Sequence, residues 1–285
     1  MKKLLFTLIV MFLPMMASAD SSGQCGDMVM YNYNDSTHTL IISGEGSMYN
    51  TEAPWESYKK EIETVIINEG VISISDYAFY GCGLTTITIP NSVTSIGMYA
   101  FEGCSGLTSV EIPDSVTSIG EGAFISCSGL TSVTIPNGLT SISEGTFINC
   151  TGLSSITIPK SITSIGNYAF YKCSSLQDFY CNNKAVPSTD SLVFDGSNII
   201  NATLHVPQSA LNDYKITSPW SEFGKFETLP DDDPDQTGIH TPQTGESEYP
   251  VNIYTIDGRR ISKPQRGINI LRMGDGRSKK VIVRR

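Results

Sequence analysis

The chain has 285 residues, 40% hydrophobic and 17% charged, which is enough to bury a large core. Its charge is uneven: residues 20 to 248 hold 7 Lys or Arg against 27 Asp or Glu, a net −20, whereas residues 249 to 285 carry a net +8. An acidic body of this kind argues against nucleic acid as a partner, because phosphate binding draws on clustered Lys and Arg, and the basic tail is the exception.

In chain order, residues 1–19 read as a signal peptide. Lys2 and Lys3 precede an apolar run from Leu4 to Leu13, and Ala17-Ser18-Ala19 stands before Asp20. That run is too short to cross a bilayer, so no transmembrane segment is expected once the signal is removed. Cys25 follows Gly23-Gln24 rather than the cleavage point, so the mature chain is expected to leave the cytoplasm without a lipid anchor.

Residues 20–61 alternate apolar and polar side chains at Met28 to Tyr33 and at Thr39 to Ile42. The pattern predicts a β-hairpin that caps the first open rung of a repeat array.

Residues 62–229 begin with an incomplete copy, in which Asn68 stands where later copies have proline, and then repeat one line four times. The four lines are LTTITIPNSVTSIGMYAFEGC, LTSVEIPDSVTSIGEGAFISC, LTSVTIPNGLTSISEGTFINC and LSSITIPKSITSIGNYAFYKC. Their leading residues, Leu84, Leu107, Leu130, Leu153 and then Leu176, recur every 23 residues, the mark of a solenoid. Within a line, Ile87 and Ile89 alternate with Thr86 and Thr88, the period of a strand with one buried face. Pro90, Pro113, Pro136 and Pro159 end that strand, since proline has no N–H for the ladder.

A second short extended piece, such as Val93 to Ile96, breaks at Gly97, Gly120 and Gly166, where the missing Cβ is expected to permit a positive φ. Ser143 takes that slot in the third copy. An Ala-Phe step closes each line (Thr-Phe in the third) and predicts a short 3₁₀ turn plugged into the core. One line cannot fold alone, because its apolar burial only offsets its backbone ordering, so stacking on neighbours decides stability. The expected product is a mainly β, right-handed solenoid with a parallel sheet along one side.

Five of the seven cysteines, Cys82, Cys104, Cys127, Cys150 and Cys173, share one slot of the repeat. Two readings are open: a column of buried thiols acting as small apolar plugs, or disulfides between adjacent rungs, whose spacing a disulfide tolerates.

After Leu176 the pattern loosens. Ala202 to Pro207 supplies a last strand, and residues 209–223 predict a short helix with Ser209 as N-cap and with Tyr214, Trp220 and Phe223 facing inward. Residues 230–248, nearly free of apolar side chains, read as a disordered acidic linker. Its Asp231, Asp232, Asp233 and Asp235 lack the order of a calcium loop, so no metal is expected there. Residues 249–285 alternate again around Asp257-Gly258 and predict a small antiparallel sheet.

The pattern L-x-x-I-x-I-P-x-S-V-x-x-I-G-x-x-A-F-x-x-C closely resembles the BspA-like class of bacterial leucine-rich repeats, over roughly residues 25 to 229. The cap, with its CG start, LxISGxGxM run and Pro54-Trp55, resembles the N-terminal caps of that class. The tail, through YxxDGRR, the step at Gly267 to Ile270 and the terminal KKVxV, resembles a type IX secretion sorting domain or a related short C-terminal module. The resemblances imply repeats that bind partners at a surface and a tail, residues 249–285, that engages export machinery.

The three histidines, His38, His205 and His240, are scattered over the cap, the last rung and the linker. No phosphate-binding glycine motif, nucleophile elbow or Cys/His cluster is present. No enzyme, cofactor or metal is expected. The remaining candidate is the exposed side of the sheet: Thr86, Thr88, Ser109, Glu111, Ser132, Thr134, Ser155 and Thr157, two hydroxyl rows broken by one carboxylate. Threonine and serine also suit any exposed strand position. The leading expectation is an adhesin-like protein, at the outer-membrane surface or extracellular, that binds an extended protein or glycan. A structural envelope protein and an accessory of a carbohydrate or peptide uptake system are the alternatives.

Overall fold

The computed structural model describes residues 21–231 and, by backbone alone, the strands Pro250–Thr255, Arg260–Ile261, Gly267–Met273 and Ser278–Val283. The expected signal peptide and all of the expected linker beyond Asp231 lie outside the described residues. Chain contacts separate two units, Met1–Ile239 and His240–Arg285. In the second, the four strands form an antiparallel sheet in the order Arg260–Ile261, Pro250–Thr255, Gly267–Met273, Ser278–Val283.

The first unit is a parallel-sheet β-solenoid of about eight turns, with one short α-helix among its described residues, Leu211–Ile216. Its front sheet starts antiparallel, with Ser21–Gln24, Val29–Asn34 and Thr39–Gly44 in order, so the cap hairpin gains a third strand. Thr64–Ile67 and Thr86–Thr88 continue it in parallel. A second run of parallel front strands comprises Ser109–Glu111, Ser132–Thr134, Ser155–Ile158, Asp178–Cys181, Thr203–Pro207 and Lys225–Leu229. The break between the runs coincides with a change of repeat from 22 residues, Ile74 to Ile96, to 23, Ile96 to Ile119. Ser105 is the added residue, between Cys104 and Leu107. Ile87, on the last strand before the break, is only half-buried, whereas Val110, Val133 and Ile156 are buried as the alternation predicts.

The back sheet holds the short second pieces, two residues each except the four-residue Val71–Ile74, and is also in two parts. Gly46–Ser47, Val71–Ile74, Ser95–Ile96 and Ser118–Ile119 form one, and Ser141–Ile142, Ser164–Ile165 and Ser188–Thr189 the other. The break falls where Ser143 replaces glycine. Gly97, Gly120 and Gly166 do not take the positive φ expected of them; they are glycine because the preceding rung passes too close. A Cβ on any of them would meet the preceding backbone at 2.4 or 2.5 Å. Their amides donate to Ile74, Ile96 and Ile142 at 2.9, 2.8 and 2.8 Å. At Ser143 the side-chain hydroxyl donates instead to the Ile119 carbonyl.

Left-handed backbone sits one turn further on. One slot holds Tyr77, Tyr99, Gly122, Gly145 and Tyr168; a second holds Gly81, Gly103, Ser126, Asn149 and Lys172. Each Ala-Phe step closes as expected in short turns with i+3 to i hydrogen bonds, such as Tyr80 N to Tyr77 O at 3.0 Å, which these left-handed residues keep from extending into a helix.

Between the sheets runs a column of rings. Trp55, Phe79, Phe101, Phe124, Phe147, Phe170 and Phe194 stack in succession at 5.1 to 5.9 Å, and all are buried. Offset pairs of this kind add about 0.5 to 1.5 kcal/mol each beyond the burial itself. Phe179, Tyr214, Trp220 and Phe223 close the column edge-on. The cysteine column lies alongside: all seven cysteines are free and buried. Cys104, Cys127 and Cys150 each donate at 3.1 Å to the carbonyl of the phenylalanine one rung earlier, and Cys173 does so at 3.3 Å. The thiol-column reading therefore holds in the folded chain. Burial pushes Cys82, Cys127 and Cys173 up to about 12.

Ser209 does not cap the helix. It lies in a 3₁₀ turn, Gln208–Ala210, and gives its amide and hydroxyl to Asp231 Oδ1 at 3.0 and 2.7 Å.

Candidate functional site

The parallel register turns a sequence repeat into rows of side chains. On a strand, alternate residues face opposite sides, so with Val110, Val133 and Ile156 buried their neighbours point outward. Ser109, Ser132, Ser155, Asp178, Thr203 and Lys225 pair in one line, and Glu111, Thr134, Thr157, Tyr180, His205 and Glu227 in the next. Thr86, with Thr64 beside it, and Thr88, beside Ile66, continue the same two alternations on the first run of strands, beyond the break. Thr86, Thr88, Ser109, Glu111, Ser132 and Thr134 are exposed, and Ser155 and Thr157 are half-buried.

Hydroxyls one residue before these rows tie the rungs together. Thr85 Oγ1 donates to Glu63 O at 3.0 Å, Thr131 Oγ1 to Thr108 O at 3.2 Å, and Ser154 Oγ to Thr131 O at 3.3 Å.

Sequence reasoning missed the C-terminal end of the face. His205 stacks on Tyr180 with centroids 4.1 Å apart and planes 11° from parallel. Its Nε2 lies 2.8 Å from Asp178 Oδ1, and its Nδ1 lies 3.4 Å from Glu227 Oε2. The imidazole thus bridges carboxylates from the rungs on either side, and although it stands on the outward face it is only 8% exposed. Burial, then the nearby carboxylates of Asp178 and Glu227, hold the Tyr180 phenol above its ordinary value. The signal was available: ATLHVP aligns with TSVEIP, which puts His205 in the slot of Glu111.

The His205 imidazole is set between the carboxylates of Asp178 and Glu227. Among the described residues, no group of three or more His, Cys, Asp or Glu is placed to hold a metal ion. Among them, too, no helix is long and apolar enough to cross a membrane. The face is a ladder of hydroxyls that ends in an aromatic and charged cluster.

Known proteins share the repeat. The family model described as a BspA type leucine-rich repeat region matches residues 57–177 and 94–216, in six copies. A leucine-rich repeat protein of T. pallidum is 22% identical, with 73% of this chain and 83% of that one covered, at a TM-score of 0.44. One from Bacteroides ovatus is 18% identical over 71% of this chain and 76% of its own, at a TM-score of 0.34. The pneumococcal vaccine antigen PcpA is 13% identical over 75% and 99%, at a TM-score of 0.22. A comparison with curated protein sequences found no match.

Proposed function

Because the chain belongs to the BspA-type leucine-rich repeat family, we propose that it is an exported surface protein, adhesin-like, that binds an extended extracellular protein or glycan along the front sheet. The observation that carries this reading is the pair of in-register outward rows, from Ser109 to Lys225 and from Glu111 to Glu227. A flat row of short hydroxyl side chains forms no deep pocket of the kind small ligands need. A polymer lying along several rungs adds weak contacts together, and multivalency supplies the affinity. Tyr180, backed by the stacked ring of His205, supplies the aromatic anchor that the hydroxyl rows lack. Export rests on residues 1–19, and engagement of the export machinery on residues 249–285.

Immobilised matrix proteins and glycans, probed with the mature chain, test the reading. Replacing Thr86, Thr88, Thr134 and Thr157 together by lysine is expected to leave the fold intact and to abolish attachment. Unchanged attachment by a folded quadruple variant would remove the sheet face as the site.

A further inference from the structure

The turns of the first rungs carry a concave feature apart from the front sheet. A groove of about 370 Å³ runs between the cap and the turns, lined by Lys59, Lys60, Tyr80 and Glu102, with Ser126 at its far end. Its size is at the low end of ligand sites, which span about 300 to 1,000 Å³.

The floor is formed by Gly81 and Gly103, both left-handed, at φ of 64° and 74°. The backbone alone does not require glycine there. The same slot in later rungs holds Ser126, Asn149 and Lys172 at φ of 57°, 56° and 58°. A Cβ on Gly103 would meet nothing closer than 3.6 Å. The fold accepts side chains at this slot, and their absence in two consecutive rungs is what opens the groove.

Its charge is equally particular. Between residues 20 and 248 only 7 Lys or Arg stand against 27 Asp or Glu, yet two of the seven are adjacent here. Lys59 is committed locally: its Nζ is 2.6 Å from Glu56 Oε1 and 4.9 Å from the Tyr80 ring centroid. Lys60 is exposed and makes no ion pair with a described residue. Across the groove, Glu102 is half-buried, and burial raises its carboxyl above the ordinary value. Tyr80 is 43% exposed and offers a ring surface.

We propose that this groove is a binding site for a carboxylate-bearing sugar residue. The Lys60 ammonium takes the carboxylate, Glu102 and Ser126 take ring hydroxyls, and the Tyr80 ring packs against the C–H face of the sugar. This site is formed by turns and the cap, so it stands whether or not the front sheet binds a polymer.

Calorimetric titration of the full chain with D-glucuronate, D-glucose and inorganic phosphate tests it. Saturable glucuronate binding is expected, with glucose and phosphate about tenfold weaker or more, a difference of about 1.4 kcal/mol. Gly103→Asn, which places in this slot the residue Asn149 already shows to be tolerated, is expected to fill the groove and weaken glucuronate about tenfold at an unchanged unfolding midpoint. Lys60→Gln is expected to weaken glucuronate about fivefold or more and to erase its preference over glucose; it decides the matter if Gly103→Asn fails to fold. Absence of saturable binding, equal affinity for phosphate, or undiminished glucuronate affinity in either folded variant would overturn the assignment.

Discussion

The central rungs, Leu84 to Cys173, and the closing rungs, Leu176 to Leu229, use one architecture for different ends. In the centre, every inward slot repeats: leucine, isoleucine or valine, phenylalanine, cysteine. The outward rows there are short hydroxyls with Glu111 as their one charge. In the closing rungs the same outward slots carry Asp178, Tyr180, His205, Lys225 and Glu227, and the ring column ends edge-on against Trp220. Repetition builds a long, regular surface, and departure from it places distinct chemistry at one end. Side chains that are interchangeable inside a solenoid set its stability, whereas those that vary outside give its surface its local chemistry.

The largest expected effect breaks the buried core, from cap to closing rungs, by pH. Burial raises the thiols: Cys25, Cys82, Cys127, Cys173 and Cys181 each reach about 12. A group whose folded pKa is raised contributes stability that is fully present below its unfolded value and lost as pH climbs toward the folded one. Stability should therefore fall between about pH 9 and 12, by about 1.4 kcal/mol per thiol for each pH unit. Denaturant midpoints across that range check it, and a chain with Cys127→Ala and Cys150→Ala should show a shallower alkaline slope. The same burial predicts that folded protein at pH 8 resists thiol reagents and that anaerobic denaturation without reductant frees five or more thiols.

A smaller effect sharpens the contrast within the repeats. Ile156 is 2% exposed and Ile87 only half-buried, so Ile156→Ala should cost about 2 to 5 kcal/mol. Ile87→Ala, with less apolar area to lose, should cost about 1 to 2 kcal/mol. Equal shifts in chemical denaturation would contradict the weaker packing at the front-sheet break.

The smallest concerns the back sheet. Ser143→Gly should restore the amide-to-carbonyl bond that Gly97, Gly120 and Gly166 make, stabilising the chain by about 0.5 to 1.5 kcal/mol. A lower thermal midpoint would show that the Ser143 hydroxyl is the better link to Ile119.

Strong periodicity made the rung legible in the sequence: Leu84 to Leu176 fixed the period, and Thr86-Ile87-Thr88 the in-out alternation. What escaped was non-local. The crowding that demands glycine at 97, 120 and 166 comes from the backbone of the preceding rung, which no local φ argument reveals. The strand Lys225–Leu229 carries no copy of the leucine line, so Glu227 could not be placed beside His205 until the rungs were stacked. Ser209 looked like a helix cap because its partner, Asp231, lies 22 residues away in a stretch that reads as linker.

The claim that an extended partner lies across several rungs is tested most directly by removing one. Deleting Leu130 to Gly152, a single 23-residue repeat, joins Gly129 to Leu153 in the same slots and leaves the cap, Tyr180 and His205 in place. Circular dichroism and a cooperative unfolding transition confirm that the shortened chain is folded. Attachment to the immobilised polymer that the mature chain binds is then measured against the intact protein. Affinity is expected to fall about three- to tenfold, because one set of small contacts is gone and the rest remain. Unchanged affinity in the shortened, folded chain would contradict binding along the rungs.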